Sequence, residues 1–529
     1  MRQGDLKLLL SEARVRRRGF ALQCFFAAWF VVIGLRLLYV QVSQHEWLAR
    51  RALAQQTSVT TIKPVRGLIK GRNGWVLARE VPSASFYATP HELESIEHTA
   101  GALAPLLDAD RQSLSERLHN AKESGRKFVW LGRQVSEETE KSIASLKLRG
   151  VYALEEPKRA YPFSPLGQQV IGFVGTEGDG LAGIERTQEE VLKGSPGRAF
   201  IKYDAARRAM DYLREEVANI HGADVYLTID EYLQTSVELL MSDLLAETKA
   251  ARISAIVLKP QTGEIFSLVE VWKPERPDRL YDDIRKVDAS DRYNLARNHT
   301  VQDAYDLGAF TSIFTQSLRM ENSAESKTRI GSIPPDAERR PAGLETFGFG
   351  SSTGIELAGE SLGWYRHEIT SKTGEGEPKV LASLVQLAAA ISVLPNNGVW
   401  APPRLIERIV STNGNVVGGK KPDGRRVLSE NRARSMLVRL YRKGAVDRRL
   451  SIIKNGAAVG VIGRLRGQPA RWEPATVVLG FTPISSPHYV IVLAVDDPYI
   501  SEPAVRNATA KAFFRVVRAA GGEYELPPE

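Results

Sequence analysis

The chain of 529 residues contains few of the residue types and patterns that are typical of several protein classes. Its single cysteine, Cys24, lies inside an apolar run and cannot form an internal disulfide or a cluster of thiolate ligands. The 8 histidines include no close pair at the spacing of metal ligands. Beyond the N-terminal apolar run, no second run is long enough to span a membrane, and no internal repeat is visible. These absences exclude disulfide-stapled, cysteine–zinc, polytopic membrane and repeat proteins.

The residues that are abundant indicate a globular protein with more than one domain. Apolar residues make up 43% and charged residues 25% of the chain, and its length suggests two or three domains. The net charge of +9 is a modest basic excess, compatible with binding to anionic polymers or membranes.

One long apolar run predicts a single membrane helix from Gly19 to Val40, if Arg36 reaches toward the interface. Four arginines between positions 14 and 18 precede it, so the positive-inside rule places residues 1–18 in the cytoplasm. The bulk of the chain is then expected in the periplasm, held to the inner membrane. The alternative is a cleaved signal peptide, but no small-residue cleavage site directly follows the run at Gln41.

Hydrophobic patterns predict two further domains, at 41–222 and 223–529. The first is a mixed region of short strands and turns with one amphipathic helix, Ser136–Leu146, which Ser136 is expected to cap. In the second, hairpins alternate with helices. This pattern predicts an antiparallel sheet flanked by helices, so the predicted fold class is α+β.

The second domain gives the sharper pattern. Its predicted elements are strand Val225–Ile229, helix Asp230–Lys249, strands Ile253–Lys259 and Glu264–Val269, helix Val380–Leu394, strands Ala475–Gly480 and Tyr489–Val495, and helix Pro503–Ala520. Apolar residues at strand period, including Ile253, Ala255 and Val257, are the expected core of the sheet.

Several short motifs follow one another in a fixed order through the first domain. They occupy Arg66–Gly74 with Leu77 and Ala78, then Arg159–Pro162, Val170–Gly175, Gly178–Glu185 and Gly194–Gly197. Their order and spacing resemble the FtsI-like class B penicillin-binding proteins, the septal peptidoglycan D,D-transpeptidases. In that family the first motif has the pattern R-G-x-I-x-D-R-N-G. Only its acidic residue is missing here, since Gly71 stands in its place.

The resemblance continues through the second domain and so covers nearly the whole chain. The matching blocks are Leu227–Asp230 with Leu233 and Gln234, Thr262–Ile265, and Gly480–Pro483. The resemblance implies a membrane anchor, an elongated pedestal or dimerisation domain over 41–222, and a β-lactamase-like transpeptidase domain over 223–529. It implies no cofactor, no metal and no nucleic acid. The implied partners are a membrane-embedded glycan polymerase, divisome proteins and peptidoglycan stem peptides.

Members of this family acylate a serine using the motifs S-x-x-K, S-x-N and K-T-G. Around the first motif the family reads R-N-R-A-I-T-D-x-x-E-P-G-S-T-x-K, and Asn298, Asp303 and Gly308 fix the register here. Ala309 then falls on the serine and Ser312 on the lysine. Alanine carries no nucleophile, and the serine hydroxyl cannot replace the lysine as a base.

The other two motifs are also missing from their expected places. No Ser-x-Asn occurs between Gln316 and Thr346, and the K-T-G slot reads Val461, Ile462, Gly463, Arg464. Literal matches elsewhere are Lys372-Thr373-Gly374, Ser451 to Lys454 and Ser429-Glu430-Asn431. The first two are interpreted as surface loops, and the third as a helix cap.

Three losses together predict a non-enzymatic pseudo-transpeptidase that acts as a scaffold or regulator of septal wall synthesis. The main alternative is an active D,D-transpeptidase with a rearranged site. A weaker alternative is a sensor that binds muropeptides without chemistry. The sequence leaves open whether the partner complex divides or elongates the cell.

Overall fold

The computed structural model describes residues 3–48, 51, 57–203, 209–217, 220–273, 296–325, 343–367, 378–419, 423–440, 450–452, 457–466, 471–483, 486–496 and 502–521. The chain divides into two compact units. The first comprises Met1–Pro64 and Ser195–Ile220, and the second comprises Val65–Gly194 and His221–Glu529.

The strands, in chain order, are β1 Thr57–Ile62, β2 Ile69–Lys70, β3 Val76–Ala88, β4 Val129–Val135, β5 Val151–Ala160, β6 Gly197–Tyr203, β7 Ala209–Val217, β8 Asp224–Leu227, β9 Arg252–Leu258, β10 Ile265–Trp272, β11 Tyr305–Asp306, β12 Trp364–His367, β13 Pro378–Ala382, β14 Val399–Trp400, β15 Ile406–Val410, β16 Val416–Gly418, β17 Arg425–Arg426, β18 Ser451–Ile452, β19 Ala458–Arg466, β20 Arg471–Thr482 and β21 Tyr489–Asp496.

The α-helices are α1 Gln3–Leu38, α2 Ile96–Leu103, α3 Arg111–Glu123, α4 Glu137–Ser145, α5 Gln168–Ile171, α6 Gly183–Thr187, α7 Glu189–Lys193, α8 Glu231–Thr248, α9 His299–Gln302, α10 Thr311–Glu325, α11 Leu384–Ile391, α12 Glu430–Leu440 and α13 Glu502–Ala519. Short 3₁₀ turns cover Gly308–Phe310 and Leu344–Phe347, and a π-helical turn covers Tyr39–Ser43.

The first unit contains the predicted membrane helix. In the described part of the chain, one helical stretch, Leu22–Ser43, is long and apolar enough to cross a membrane, and none of it is buried. The apolar stretch predicted at Gly19–Val40 lies within the same helix, and its exposed apolar side chains fit a single-pass membrane anchor. The same unit holds a sheet in which β6 pairs antiparallel with both β1 and β7.

The second unit begins with a sheet of order β16-β15-β8-β2-β3-β4, with β5 also paired to β3. Helices α2 and α3 cover the outer part of this sheet, where Phe86, Leu103, Leu118 and Leu131 share a buried cluster. Helix α4 begins where the sequence predicts, because the Ser136 side chain accepts a hydrogen bond from the backbone N–H of Thr139.

A larger sheet of order β10-β9-β21-β20-β19-β11-β13-β12 forms the rest of the core. All its pairings on this path are antiparallel, and β9 and β21 bury both of their faces. Helices α8 and α13 pack on one face, and α11 and the segment around Phe310 pack on the other. The α+β prediction is confirmed.

One predicted element is wrong. Residues Val380 to Ala382 form the end of strand β13 rather than the start of a helix, and α11 begins only at Leu384. The reason is a capping box, in which the side chains of Ser383 and Gln386 each accept a hydrogen bond from the other residue's backbone N–H. The helix therefore starts after Ser383, and the apolar residues ahead of it join the sheet.

Candidate functional site

The nucleophile slot lies at the start of helix α10. Ala309 sits in the 3₁₀ turn that leads into the helix and is 6% exposed. The Ser312 hydroxyl donates to the Ala309 carbonyl oxygen at 2.6 Å, so it stabilises the turn. Thr311 is buried, at 5% exposed, and is therefore poorly placed to attack a ligand. The geometry keeps the helix start of the motif and supplies no activated hydroxyl there.

Strand β19 carries the third slot and lies directly beside the first. Gly463 is opposite Asp306 and Arg464 is opposite Tyr305, so β11 pairs with β19 at the slot itself. On its other side, β11 pairs with Leu381 and Ala382 of β13. The Ile462 side chain is buried. The structure therefore brings the two slots together, and β11 occupies the edge of β19 at Gly463 and Arg464.

The literal motif matches do not occupy the two slots, and some of their residues lie outside the described part of the chain. Ser429 directly precedes helix α12, which agrees with its interpretation as a helix cap position, and its hydroxyl donates to Glu321 at 2.9 Å. The interpretation of Ser451 as part of a surface loop is wrong, because Ser451 begins the short strand β18, which pairs with β19 and places Ser451 opposite Val459. Lys454 lies outside the described residues. Lys372-Thr373-Gly374 and much of the interval expected to hold the second motif also lie outside them.

A buried polar network, which the sequence did not predict, holds the segment that leads to the slot. Glu270 of β10 accepts the backbone N–H of His299 at 2.8 Å and also contacts its imidazole Nδ1. Arg252 lies 3.0 Å from the same carboxylate. Tyr305 donates to Asp496 of β21 at 3.0 Å. These contacts fix both ends of the segment between α9 and β11 to the sheet.

The motifs of the first domain meet in a second buried ion network. Arg66 contacts the carboxylates of Glu185 and Glu189, each at 2.7 Å, and Arg159 contacts Glu185 at 2.7 Å. Burial disfavours the charged guanidinium, but the two carboxylates outweigh it and raise the pKa of Arg66. Side chains from three separate motifs therefore act as one structural unit.

Gly71, the departure from the first motif, lies against a carboxylate supplied by another element. Any Cβ at position 71 would overlap the side chain of Glu231. The buried Glu231 carboxylate accepts the backbone N–H groups of Asn73 and Trp75, at 3.1 and 3.2 Å, and the Asn73 amide at 2.7 Å. An acidic residue of helix α8 thus organises this turn, and glycine leaves it room.

The described residues contain no group of three or more histidine, cysteine, aspartate or glutamate side chains arranged to hold a metal ion. The polar clusters around Glu270 and Glu185 are instead paired with arginines, as expected of structural ion pairs.

Residues 61–227 match the family described as the penicillin-binding protein dimerisation domain, and residues 320–515 match the penicillin-binding protein transpeptidase domain. The transpeptidase match begins after Ser312. Similar proteins include stage V sporulation protein D of Bacillus subtilis, 26% identical over 92% of this chain and 83% of the relative. The peptidoglycan D,D-transpeptidase FtsI of Escherichia coli is 24% identical over 90% of this chain and 86% of the relative.

Solved structures show the same fold. A peptidoglycan synthetase from Bifidobacterium adolescentis superposes with a TM-score of 0.61 at 21% identity, covering 89% of this chain and 98% of the other. Penicillin-binding protein 2X from Streptococcus thermophilus gives a TM-score of 0.55 at 20% identity, covering 87% and 79%.

Proposed function

The chain belongs to the class B penicillin-binding proteins, and from this premise we propose that it is a catalytically inactive pseudo-transpeptidase. Its setting is peptidoglycan synthesis and cell division, and its role there is that of a scaffold or regulator of the septal wall-synthesis complex. The single observation that carries the proposal is Ala309, a methyl group at the helix start where the family places its serine.

Acylation of a serine enzyme needs a hydroxyl in the cleft and a neighbouring base that takes its proton. Ala309 has no hydroxyl, and the Ser312 hydroxyl is bonded within its own helical turn. The nearby Lys379 ammonium lies 3.5 Å from Asp306, in an ion pair with that carboxylate. The side chains at the two slots therefore support binding or scaffolding better than acyl transfer.

The backbone at β19 supports the same proposal. Gly463 and Arg464 are paired with β11, so this stretch of edge does not offer free main-chain groups to an added strand. The family transpeptidase match begins at residue 320 and thus leaves both Ala309 and Ser312 outside it. The substitutions at the slots and the occupation of the strand edge are separate observations, and both disfavour acyl transfer at this site.

The alternative is an active D,D-transpeptidase with a rearranged site. Family membership favours it, because the Escherichia coli relative bears that activity in its name. Thr311 and Ser312 are the hydroxyls closest to the slot that such a site would use. Under this alternative, one of them must become exposed and find a base, which requires the first turn of α10 to rearrange.

Covalent labelling distinguishes the two functions. The full chain, purified in detergent, is incubated with excess penicillin, and its intact mass is measured beside the Escherichia coli relative as a positive control. We expect no adduct on this chain. A stoichiometric gain equal to the drug, mapped to any serine or threonine, would show that the site is active.

The proposal extends to anchoring and partners. The apolar helix holds the chain in the inner membrane with residues 1–18 in the cytoplasm, 41–222 as the pedestal and 223–529 as the transpeptidase-like domain. The partners are a membrane-embedded glycan polymerase and divisome proteins, with stem peptides as reversible ligands. A reporter fused after Gly222 should be active only outside the cytoplasm, and cytoplasmic activity would refute this topology.

A further inference from the structure

Strand β5 forms an open edge of the sheet that it shares with β3 and β4. It pairs with β3 over its whole length, Val151–Ala160, and in the described part of the chain it pairs with no other strand. The outward main-chain N–H and C=O groups of an edge strand are available to a further strand. Pro157 lacks an N–H, so an added strand is limited to the part of β5 that precedes it.

The first half of this edge is exposed on both faces. Tyr152, Ala153, Leu154 and Glu155 are all exposed, although consecutive residues of a strand point to opposite faces. Tyr152 is 43% exposed and Leu154 is 47% exposed. Neighbouring apolar residues on an open strand edge favour pairing with another chain, because that pairing removes them from water.

A row of aromatic rings crosses the sheet and ends at this edge. Phe128, just before β4, stacks on Tyr87 of β3 with 4.5 Å between the ring centres, and Tyr87 lies 5.5 Å from Tyr152. The Tyr152 hydroxyl donates to Glu92, which holds the ring in place beside the edge. The edge therefore presents an ordered apolar surface to an incoming strand.

We propose that β5 pairs antiparallel with β5 of a second copy of this chain, about a two-fold axis that passes through Ala153. The axis is perpendicular to the sheet, so Tyr152 of each copy lies opposite Leu154 of the other on the same face. An isologous contact of this kind uses one self-complementary patch twice. Both exposed apolar side chains are covered in each copy, and the aromatic row continues into the second sheet.

The charges along β5 favour this pairing. Glu155 lies opposite Val151 of the other copy, so no two acidic side chains are opposite each other. The two Glu155 residues are four strand positions apart, about 14 Å, which exceeds the Debye length at physiological salt. A strand that fits this edge needs apolar residues at alternate positions and no acid opposite Glu155, and β5 itself meets both conditions.

Other positions of the two-fold axis fit less well. An axis through Leu154 places Tyr152 opposite Glu156, whose carboxylate is already paired with Arg133. An axis through Tyr152 places Leu154 opposite Gly150, which has no side chain to cover it. The axis through Ala153 is therefore the register in which the two exposed apolar side chains cover each other.

This inference goes beyond the proposed function and is independent of it, because β5 shares no residue with either catalytic slot. Its failure would leave the proposed loss of acylation unaffected. Labelling of the chain by penicillin would in turn leave the pairing of β5 unaffected.

Disulfide cross-linking tests the pairing. The full chain is purified in detergent with Cys24→Ala, so that Ala153→Cys supplies the single thiol. The matched control is Ala246→Cys in the same background, at an exposed alanine of helix α8. Both variants are oxidised with copper phenanthroline over a range of protein concentrations and run on non-reducing gels. Their melting temperatures are compared with that of the parent chain to confirm folding.

We expect Ala153→Cys to give a covalent dimer at concentrations at which the control stays monomeric, because the two thiols lie directly opposite each other. Adding Leu154→Glu should abolish the dimer, since it places a carboxylate against Tyr152 of the other copy. Leu154 is exposed in the single chain, so this substitution should leave the melting temperature nearly unchanged.

Three results would contradict the proposal. These are a monomeric Ala153→Cys variant at every concentration, equal cross-linking of Ala153→Cys and Ala246→Cys, and cross-linking that Leu154→Glu does not reduce. Glu155→Cys tests the register separately, because its two copies are farther apart than the roughly 7 Å that a disulfide can bridge. Cross-linking of Glu155→Cys as strong as that of Ala153→Cys would overturn the axis through Ala153.

Discussion

Two motif regions of the same compact unit differ in how many of their motif side chains are present. Around Arg66, charged side chains from three motifs are present and buried in contact with one another. Around Ala309, the helix start and the neighbouring strand β19 are present, and Ala309 and Ser312 stand at the positions that the motif register assigns to the family's serine and lysine.

The difference separates the constraints that the fold places on side chains from those that catalysis would place on them. Arg66 and Glu185 are nearly inaccessible, so removing either leaves an uncompensated buried charge in the fold. A serine-to-alanine change at a helix start leaves no such charge. Side chains that hold the fold are therefore retained for a physical reason that is independent of catalysis, and the following substitutions test that explanation.

Glu185→Ala is expected to have the largest effect. It leaves Arg66 and Arg159 without their shared carboxylate, and breaking a buried pair from one side costs about 3–5 kcal/mol. The melting temperature of the purified chain should fall clearly. Glu190→Ala, at an exposed position on the following helix, is the control and should change little. Equal effects of the two substitutions would break the comparison.

Glu231→Ala tests whether the turn at Gly71 depends on the carboxylate from α8. The substitution leaves the backbone N–H groups of Asn73 and Trp75 without their acceptor, and we expect a loss of about 2–3 kcal/mol. Chemical denaturation is the measurement. Glu247→Ala, at an exposed position of the same helix, is the matched control, and a loss no greater than the control's would contradict the assigned role.

Glu238→Gln sharpens the comparison, because not every buried carboxylate stabilises the fold. Burial raises the pKa of Glu238 to about 7, while the backbone N–H of Gly167 and the Gln234 amide partly oppose that rise. With a folded pKa above the unfolded value, the stabilising contribution is complete below about pH 4.5 and is lost as the pH rises through about 7.

Glutamine keeps an oxygen acceptor for both donors and removes the charge. The variant should therefore be more stable than the parent at pH 8, by about 2 kcal/mol, and similar to it near pH 4. Thermal unfolding across this pH range is the measurement. A constant difference across the range would show that Glu238 does not titrate within it.

Ala309→Ser should have the smallest effect. The added hydroxyl lies at a helix start, and we expect stability to change by less than about 1 kcal/mol. No penicillin adduct should form, because the base and the third motif remain absent and such groups act as a unit. Ala309→Ser/Ser312→Lys should also remain unlabelled. Intact mass is the readout, and labelling of either variant would show that the slot retains more of the catalytic site than proposed.

The sequence predicted long elements best, because periodicity and caps agree there. Helix α8 begins after Asp230, whose side chain accepts the backbone N–H of Leu233, and the predicted start lies within one residue. Strand β11 was not predicted, since two residues carry no periodic pattern. The apolar run at Val380 was assigned to the helix behind it, although the capping box at Ser383 marks the true start.

Some features of the candidate site could also be predicted from the sequence, and others could not. The family register placed Ala309 at a helix start and Gly463 on a strand, and the structure has both. The occupation of the β19 edge by Asp306 could not be predicted, because that pairing joins residues far apart in sequence. The contact between Glu270 and His299 likewise depends on tertiary structure rather than on local pattern.

The pairing of β9 with β21 also governs how the chain can mature. Ile253 lies opposite Val495, so the centre of the larger sheet joins residues separated by nearly half the sequence. Under the proposed topology, β9 and β10 therefore lack the pairing partner β21 until β21 has also crossed the membrane. Pairing between strands so far apart in sequence forms slowly. Until it forms, the unpaired edges of apolar strands are prone to aggregation. Export should accordingly depend on chaperones that shield the early hairpin, and a chain ending before β20 should accumulate as a substrate for proteases.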